Sequence, residues 1–305
     1  METTLMRAVA TKDRDSALDG LSLTELPKPQ PAENDVVVQV HAAGFLKGEP
    51  DWPSTWTDRA GRDRTPSVLG HELSGVVVEL GHGTTGLTIG QRVFGLTDWG
   101  RNGTLAEYTA VEARNLAPLH VDVDHVTAAA IVMPGLTAWQ ALFDHGRLQA
   151  GQTVLVHGAG GSVGSVGIQL AREAGAHVIA TGRKSARDQA GSLGAHEFLD
   201  LENERLEDAG EVDVVFDVIG GDILNRSTQL LRPGGTLVTV AEPPTVQPRD
   251  GRAIFFVVEP DRAQLTQLAT RLREGRLVPL VTDVRPLEEA VKAFTERGRS
   301  VIKVV

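Results

Sequence analysis

The chain of 305 residues contains no cysteine. Disulfide bonds, a thiolate nucleophile and a metal site built from cysteine are therefore excluded. An excess of positive charge is also missing, because 40 Asp and Glu residues outnumber 30 Lys and Arg residues and give a formal net charge of −10. This balance argues against nucleic acid or an anionic membrane as the main partner. The N-terminal sequence METTLMRAVATKD lacks the apolar core of a signal peptide, and no run of about 18 apolar residues occurs. We therefore expect a soluble cytoplasmic protein.

The length is enough for two domains, and the sequence pattern changes along the chain. Residues 1–123 carry short β-type runs separated by Gly, Pro and Asp, which predict a compact β-rich domain. Residues 124–260 alternate apolar runs with helical patterns, which predicts an α/β domain with a doubly wound parallel sheet. Residues 261–305 are predicted to return to the first domain.

Several elements are specific enough to be predicted by residue. We expect strands at Arg92–Leu96 and Val212–Asp217, and a helix from Thr127 that kinks or restarts at Pro134. A turn is predicted at 232–235 and a long loop, functional or mobile, at 47–67.

The most informative segment is Thr153–Lys184, which reads as strand, glycine turn, helix and strand. Its glycines follow the spacing Gly158-x-x-Gly161-x-x-Gly164, with Ala159 where the strict G-x-G-x-x-G pattern has its first glycine. Such a turn lets the backbone approach a pyrophosphate, and the helix that follows offers free N–H groups to it. The segment therefore predicts dinucleotide binding, with contacts from Gly158, Ala159, Gly161, Ser162, Val163 and Gly164. The alternative is a glycine turn that serves only helix–strand packing.

The end of the second strand bears on the choice of dinucleotide. An NAD-binding unit usually carries Asp or Glu here to accept the ribose 2′-OH. This chain has Thr181, Gly182, Arg183 and Lys184 at that place, and no acid before Asp188. Because two cations suit a 2′-phosphate, the segment favours NADPH over NADH. The alternative is a solvated basic turn.

Later strands are expected to contribute to the same ligand. In open parallel sheets, ligands bind at the carboxyl ends of the strands. Val218, Ile219 and Gly220 follow one such end, and Ala241 and Phe256 are expected to flank the nicotinamide. Plain core packing is the alternative for these residues.

Motifs along the whole chain are similar to those of a known family. The chain resembles the medium-chain dehydrogenase/reductase superfamily, and within it the zinc-independent quinone oxidoreductase-like branch. The resemblance implies a GroES-like β-rich catalytic domain joined to a Rossmann domain, and NADPH-dependent reduction of quinones or α,β-unsaturated carbonyls by a homodimer. It also places Thr137 near the nicotinamide. The motifs are VHAAGF at 40–45, GHELSGVVVELG at 70–81, GLTAWQAL at 135–142, HGAGGSVGSVGIQLAREAGAHVIATGR at 157–183, DVVFDVIGG at 213–221, LRPGGTLVTV at 231–240 and VEPDRAQLTQL at 258–268.

The resemblance raises the question of a metal. In zinc-dependent relatives the histidine of a similar GHE motif ligates zinc, together with a cysteine upstream. Here His71 and Glu72 adjoin each other, and on a strand their side chains would point to opposite faces. Zinc needs at least three convergent ligands, so we expect no metal.

Catalytic and substrate-binding residues are predicted with less support. Lys47, Asp51 and His71 are the candidate proton donors by motif position. Leu46 stands where many quinone reductases have Asn, which weakens the transfer of quinone specificity. Two alternatives stay open: a reductase of one dedicated enoyl or polyketide-type intermediate, and a non-catalytic NADPH-binding sensor. The aromatic residues expected to form the wall of a substrate pocket, with core packing as the alternative for each, are Phe45, Trp52, Trp56 and Trp99.

Overall fold

The computed structural model describes residues 4–14, 16–296 and 298–305. The chain divides into two compact units. The first unit comprises Met1–Val132, Pro260–Gly275 and Val281–Val305, and the second comprises Met133–Glu259 and Arg276–Leu280.

The described residues form sixteen strands. They are β1 Leu5–Thr11, β2 Leu21–Pro27, β3 Asp35–Gly44, β4 Ser67–Val68, β5 Glu72–Leu80, β6 Arg92–Leu96, β7 Tyr108–Glu112, β8 Leu116–Pro118, β9 Thr153–Val156, β10 His177–Gly182, β11 Glu197–Asp200, β12 Val212–Asp217, β13 Leu231–Thr239, β14 Gly251–Phe255, β15 Asp283–Pro286 and β16 Ser300–Lys303.

The same residues form seven α-helices, alongside shorter 3-10 turns. They are α1 Pro53–Trp56, α2 His125–Trp139, α3 Ser162–Glu173, α4 Arg187–Ser192, α5 Gly221–Ser227, α6 Arg262–Arg273 and α7 Ala290–Thr295. A π-helical segment, Gln140–His145, follows α2 directly.

The first unit is built on β-sheets. Its larger sheet has the strand order β15-β16-β3-β5-β6-β8, with β7 also pairing with β3. A smaller sheet has the order β2-β1-β4. In β3, Val36, Val38 and Val40 alternate along the strand and join the main hydrophobic core of the unit, as the two-residue period of a strand requires. Residues 302 and 303 of β16 pair with residues 43 and 42 of β3.

The second unit contains a six-stranded parallel sheet in the order β11-β10-β9-β12-β13-β14. This is the 3-2-1-4-5-6 order of the Rossmann fold, in which β10 and β11 extend the sheet on one side of β9 and β12 to β14 extend it on the other. The central strands are apolar because strands covered on both faces bury their side chains; Val154, Leu155 and Val156 of β9 are fully buried. The α/β fold class predicted from the sequence is confirmed.

Individual elements differ from the prediction in three places. The strands Arg92–Leu96 and Val212–Asp217 have the predicted bounds. Helix α2 continues through Pro134, and the change to π-helical geometry comes later, at Gln140. The turn predicted at 232–235 lies inside β13, where a register shift against β12 and a positive φ at Gly234 absorb the irregularity. The long loop at 47–67 contains a 3-10 turn, Glu49–Asp51, and helix α1.

One helix in the described residues, His125–His145, is long and apolar enough to cross a membrane by length and composition. In its most apolar window, 78% of the residues are buried inside the protein. That degree of burial is typical of a core helix, whose partners are other side chains.

Candidate functional site

The glycine turn of the second unit is shaped by backbone contacts that admit no side chain. Gly158 has a φ of +75°, which favours glycine. A Cβ atom on Gly164 would lie 2.2 Å from the carbonyl oxygen of Gly158, so only glycine fits where α3 leaves the turn. Helix α3 has Gly161 at its N-cap position and no side-chain cap. The N–H groups at the start of α3, at Ser162 and Val163, therefore belong to an uncapped helix N-terminus, which attracts an anion.

Strand ends meet around this turn. The N–H of Ala159 donates to the carbonyl oxygen of Thr181, 2.9 Å away, and so joins the turn to the end of β10. A Cβ atom on Gly158 would lie 2.5 Å from Val218 and 3.7 Å from Ile219, which follow β12. The structure thus brings the glycine turn, β10 and β12 together at the carboxyl edge of the sheet.

Asp217 holds the loop after β12 in place. This buried carboxylate accepts hydrogen bonds from the N–H groups of Ile219 and Gly220 and from the hydroxyl of Thr239. The hydroxyl of Thr239 in turn accepts from the N–H of Ala241, and Gly220 lies against Ala241. The predicted residues Val218, Ile219, Gly220 and Ala241 are therefore neighbours, positioned by an acid and a hydroxyl whose role the sequence does not reveal.

The basic pair at the end of β10 is exposed. The side chain of Arg183 is 80% exposed, and its Nε lies 3.6 Å from Glu202. Lys184 is also exposed, at the start of a 3-10 turn. Gly182 sits beside the backbone of Ala159. Both side chains therefore lie in solvent near the glycine turn, and the Arg183 side chain is in a weak ion pair with Glu202.

Two further predicted contacts lie in other parts of the second unit. Thr137 is buried in α2. Phe256 follows β14, where its N–H donates to the carbonyl oxygen of Thr239 and its ring lies 4.5 Å from the ring of His145.

In the first unit, His71 is the centre of an aromatic group. The imidazole is buried, and its Nδ1 is 2.9 Å from the hydroxyl of Thr97. The ring of Trp99 lies 4.8 Å away, edge to face, and the ring of Trp52 lies 6.0 Å away, nearly parallel. The two indoles contact each other at 5.3 Å. Two of the four aromatic residues predicted to line a substrate pocket therefore surround the predicted histidine.

Arg64 adds a cation to this group. Its Nη1 donates to the carbonyl oxygens of Ser54 and Trp99. Its Nη2 is buried and has no hydrogen-bond partner among the described residues. Burial lowers the pKa of His71 to about 3, and the nearby charge of Arg64 acts in the same direction. The imidazole is consequently neutral at any physiological pH.

The other two aromatic residues predicted to line a substrate pocket, Phe45 and Trp56, are buried in structural contacts instead. The ring of Phe45 is packed in the hydrophobic core, 4.3 Å from Phe294. Trp56 is buried, and its Nε1 donates to the carbonyl oxygen of Pro50. Lys47 and Asp51, the other candidate proton donors, are exposed, Lys47 ahead of the 3-10 turn and Asp51 at its end.

Two buried carboxyl groups hold the segments that carry His71 and Trp52. Glu49 accepts hydrogen bonds from the N–H of Leu46, at 2.8 Å, and of Gly70, at 2.6 Å. Glu72 is fully buried and paired with Arg299, which also donates to the carbonyl oxygen of Phe45. Burial raises the pKa of Glu49 to about 8 and also raises that of Glu72, which Arg299 opposes. No sequence signal marks these contacts.

The donors present do not fit a zinc ion. Across residues 4–14, 16–296 and 298–305, no group of three or more His, Cys, Asp or Glu side chains is placed to hold a metal. His71 is bonded through Nδ1 to Thr97, and Glu72 is bonded to Arg299. A catalytic zinc needs three convergent protein ligands.

Two family models match the chain. An alcohol dehydrogenase GroES-like domain covers residues 32–121, and a model described as zinc-binding dehydrogenase covers residues 193–305. Among solved structures, the quinone oxidoreductase from Coxiella burnetii superposes with a TM-score of 0.89 at 27% identity, over 99% of this chain and 100% of that one.

Curated relatives fall into two kinds. The spectinabilin polyketide synthase system protein NorB of Streptomyces orinoci is 38% identical over 262 residues, which are 78% of this chain and 12% of NorB. The chain thus spans about an eighth of the length of that relative. The 2-methylene-furan-3-one reductase of Solanum lycopersicum is 31% identical over 299 residues, which are 91% of this chain and 72% of the reductase. With a relative of this similarity and coverage, the chain belongs to the medium-chain dehydrogenase/reductase superfamily, a family of nicotinamide-dependent oxidoreductases, and within it to the quinone oxidoreductase-like branch.

Proposed function

We propose that this protein is an NADPH-dependent reductase that transfers a hydride to a quinone or an α,β-unsaturated carbonyl without zinc. The observation that carries the proposal is the group of Trp52, Trp99 and a neutral His71, which offers flat apolar walls and a polar nitrogen but no set of metal ligands. A conjugated acceptor suits such a site because its developing negative charge is delocalised and needs less electrophilic help than a simple ketone.

The glycine turn supports the cofactor part of the proposal. Reduced nicotinamide supplies the hydride when the cofactor is bound. The uncapped N-terminus of α3 and the glycines at 158, 161 and 164 suit the pyrophosphate. Arg183 and Lys184 would hold the 2′-phosphate of NADPH, which would replace the weak, solvent-screened contact between Arg183 and Glu202. Thr137, Val218, Ile219, Gly220, Ala241 and Phe256 stay proposed cofactor contacts.

Relatives support the acceptor class. The names quinone oxidoreductase and 2-methylene-furan-3-one reductase belong to proteins that resemble this chain over most of its length. A second candidate function is reduction of a dedicated enoyl intermediate of the polyketide type. The similarity to NorB, at 38% identity, favours it.

The proposal also includes a cytoplasmic homodimer that binds neither nucleic acid nor membrane. The net charge of −10 supports the absence of polyanionic partners. Light scattering of the purified protein would measure the oligomeric state, and a mass of one chain would contradict the dimer.

The test is oxidation of NADPH by purified protein after treatment with a chelator. Parallel reactions contain para-benzoquinone, phenanthrenequinone, a 2-alkenal or a 2-enoyl thioester, with NADH as the control cofactor. We expect turnover with NADPH well above that with NADH, and no loss after chelation. Preference for the thioester would select the second candidate.

Two outcomes would contradict the proposal. Zinc bound at about one ion per chain, with activity lost on chelation, would overturn zinc independence. Tight NADPH binding without turnover of any acceptor would favour the non-catalytic sensor.

A further inference from the structure

We propose that His71 donates a hydrogen bond from Nε2 to the carbonyl oxygen of the acceptor, that Thr97 fixes the tautomer that allows this, and that Arg64 stabilises the negative charge formed on that oxygen. The inference rests on the proposed function and adds to it the group that polarises the acceptor. Thr97 and Arg64 lie outside the motifs identified in the sequence.

The tautomer follows from the surroundings of Thr97. This residue is 1% exposed, and the only side-chain partner of its hydroxyl among the described residues is Nδ1 of His71. If Nδ1 carried the proton, the buried hydroxyl of Thr97 would have no acceptor for its own hydrogen, which is unfavourable for a buried donor. Thr97 therefore donates to Nδ1, and the proton of the neutral ring is on Nε2.

A second bond fixes the orientation of the ring. The N–H of Thr97 donates to the carbonyl oxygen of His71 at 2.8 Å, so backbone and side chain of the two residues are joined twice. Trp52 and Trp99 then pack against the imidazole. A ring held in this way offers its Nε2–H without reorganisation, which is the property that makes a donor effective in stabilising an oxyanion.

Burial keeps the ring neutral, as the pKa of about 3 indicates. The charged groups that face His71 are Arg64, which lowers its pKa, and Asp98, which raises it. A neutral imidazole is a hydrogen-bond donor that holds its proton, so His71 polarises the carbonyl oxygen while the proton of the product comes from solvent.

Arg64 is held in place by two backbone carbonyl oxygens, those of Ser54 and Trp99. Its Nη2 has no partner within the described part of the chain. A buried guanidinium nitrogen without an acceptor is costly, and a negatively charged oxygen is the partner that would satisfy it.

A second buried histidine shows what a purely structural arrangement looks like. His157 in the second unit also has Nδ1 on a threonine hydroxyl, that of Thr181 at 2.8 Å. Its Nε2, however, is 2.8 Å from the hydroxyl of Ser227. Both nitrogens of His157 are used within the protein, whereas His71 uses only Nδ1 for a described contact. His71 is therefore the buried imidazole that has a nitrogen left for a ligand.

The reaction with an enone is balanced as follows. The hydride adds to the β-carbon, and the electrons of the carbon–carbon double bond move toward the carbonyl group to give an enolate. The enolate oxygen takes the negative charge beside the Nε2–H of His71 and the guanidinium of Arg64. A proton from water then adds to the α-carbon, which gives the saturated carbonyl compound and the oxidised cofactor.

The first experiment compares Thr97→Val with Thr97→Ser, using the acceptor that gives turnover. Valine keeps the shape but removes the hydroxyl, so we expect kcat to fall about tenfold, with the Kd for NADPH unchanged. Serine keeps the donor and should stay within about threefold of the wild type. Removal of a donor to an oxyanion typically costs 100- to 1000-fold, so we expect about 100-fold for His71→Phe, which keeps a ring and loses the N–H.

Arg64 is tested by Arg64→Gln and Arg64→Lys. Glutamine removes the charge and should lower kcat about tenfold, whereas lysine keeps the charge and should restore most of it. Thermal unfolding of each variant separates a local effect from a loss of folding.

Nitrogen NMR of protein labelled at histidine gives a readout independent of turnover. We expect a His71 signal with a protonated Nε2 and an unprotonated Nδ1, identified by its disappearance in His71→Gln. A protonated Nδ1 would overturn the inference, as would full activity of His71→Phe. Full activity of His71→Phe would contradict the role of His71 but not the proposed reductase activity. Absence of turnover in the wild type would contradict the proposed function, and the NMR spectrum would then still decide which nitrogen of His71 is protonated.

Discussion

The candidate sites of the two units are built from different chemical groups, backbone in the second unit and side chains in the first. In the second unit the glycine turn and the start of α3 present backbone N–H groups, and side chains are mostly excluded. In the first unit His71, Glu49 and Glu72 are buried side chains whose partners, Thr97, Gly70 and Arg299 among them, come from other segments of the chain. A backbone site is sensitive to added atoms, whereas a site made of buried polar side chains is sensitive to lost partners. The predictions below test that distinction.

The largest effect is expected from breaking the buried pair in the first unit. Arg299→Met leaves the carboxyl of Glu72 buried without its cation, which typically costs about 3–5 kcal/mol. Urea unfolding would measure the loss. The control is Arg114→Met, because Arg114 is 82% exposed in its pair with Glu112 and should contribute less than about 1 kcal/mol. Equal losses in both variants would show that burial of the pair is not what matters.

The next effect concerns His157 and pH. Burial lowers the pKa of His157 from 6.5 to about 4. Above pH 6.5 both states are neutral at this residue and its contribution to stability is fully present. Below pH 6.5 His157 is protonated in the unfolded chain but stays neutral in the folded one. The free energy of unfolding therefore falls until about pH 4, by on the order of 3 kcal/mol.

The variant His157→Gln keeps a polar side chain but cannot titrate. Its free energy of unfolding should therefore decline less than that of the wild type between pH 7 and pH 4.5, as measured by urea unfolding at each pH. Parallel pH profiles for the two proteins would mean that His157 does not resist protonation. Comparison of the two profiles removes the contributions of the other histidines.

An added atom should damage the backbone site. In Gly164→Ala the new Cβ would press on the carbonyl group of Gly158, so the turn must shift. We expect NADPH binding to weaken about 100-fold, equivalent to about 2.7 kcal/mol. Gly191→Ala in α4 is the matched control, since a Cβ there meets nothing within 4 Å. Fluorescence titration of NADPH measures both, and unchanged affinity in Gly164→Ala would remove the glycine turn from the cofactor site.

The smallest effect is expected at the exposed basic pair. Arg183→Ala should weaken NADPH binding about tenfold and leave NADH binding unchanged, because a charge-assisted contact to the 2′-phosphate is lost in solvent. Arg205→Ala removes a similarly exposed cation, 76% exposed, that the sequence does not place at the dinucleotide. A loss of both cofactors in Arg183→Ala would point to a general effect on the turn.

The glycine turn and the strand ends around it have local sequence signals, so their proximity could be predicted from the sequence. The glycine spacing, the helix start and the strand ends at Thr181 and Asp217 all lie within short segments, and the sheet order then brings them together. The exact spacing also identified the position of Arg183. The role of Asp217, which accepts hydrogen bonds from the N–H groups of Ile219 and Gly220, has no such local signal.

The first-unit site was predicted less completely because its contacts connect distant residues. Glu49 and Gly70 are 21 positions apart, and Glu72 and Arg299 are 227 positions apart. No local pattern distinguishes Trp52, beside His71, from Trp56, which anchors its own loop. The motif indicated His71, but its neutral state depends on burial, which a single sequence does not show.

The pairing of β16 with β3 has a consequence for the order in which the chain folds as it is synthesised. Residues 42 and 43 leave the ribosome long before residues 302 and 303, with which they pair in the sheet. The strands of the parallel sheet, from β9 to β14, all emerge in that interval. Domains generally fold as units when their residues are available. The second unit is therefore expected to fold before β16 of the first unit has been synthesised.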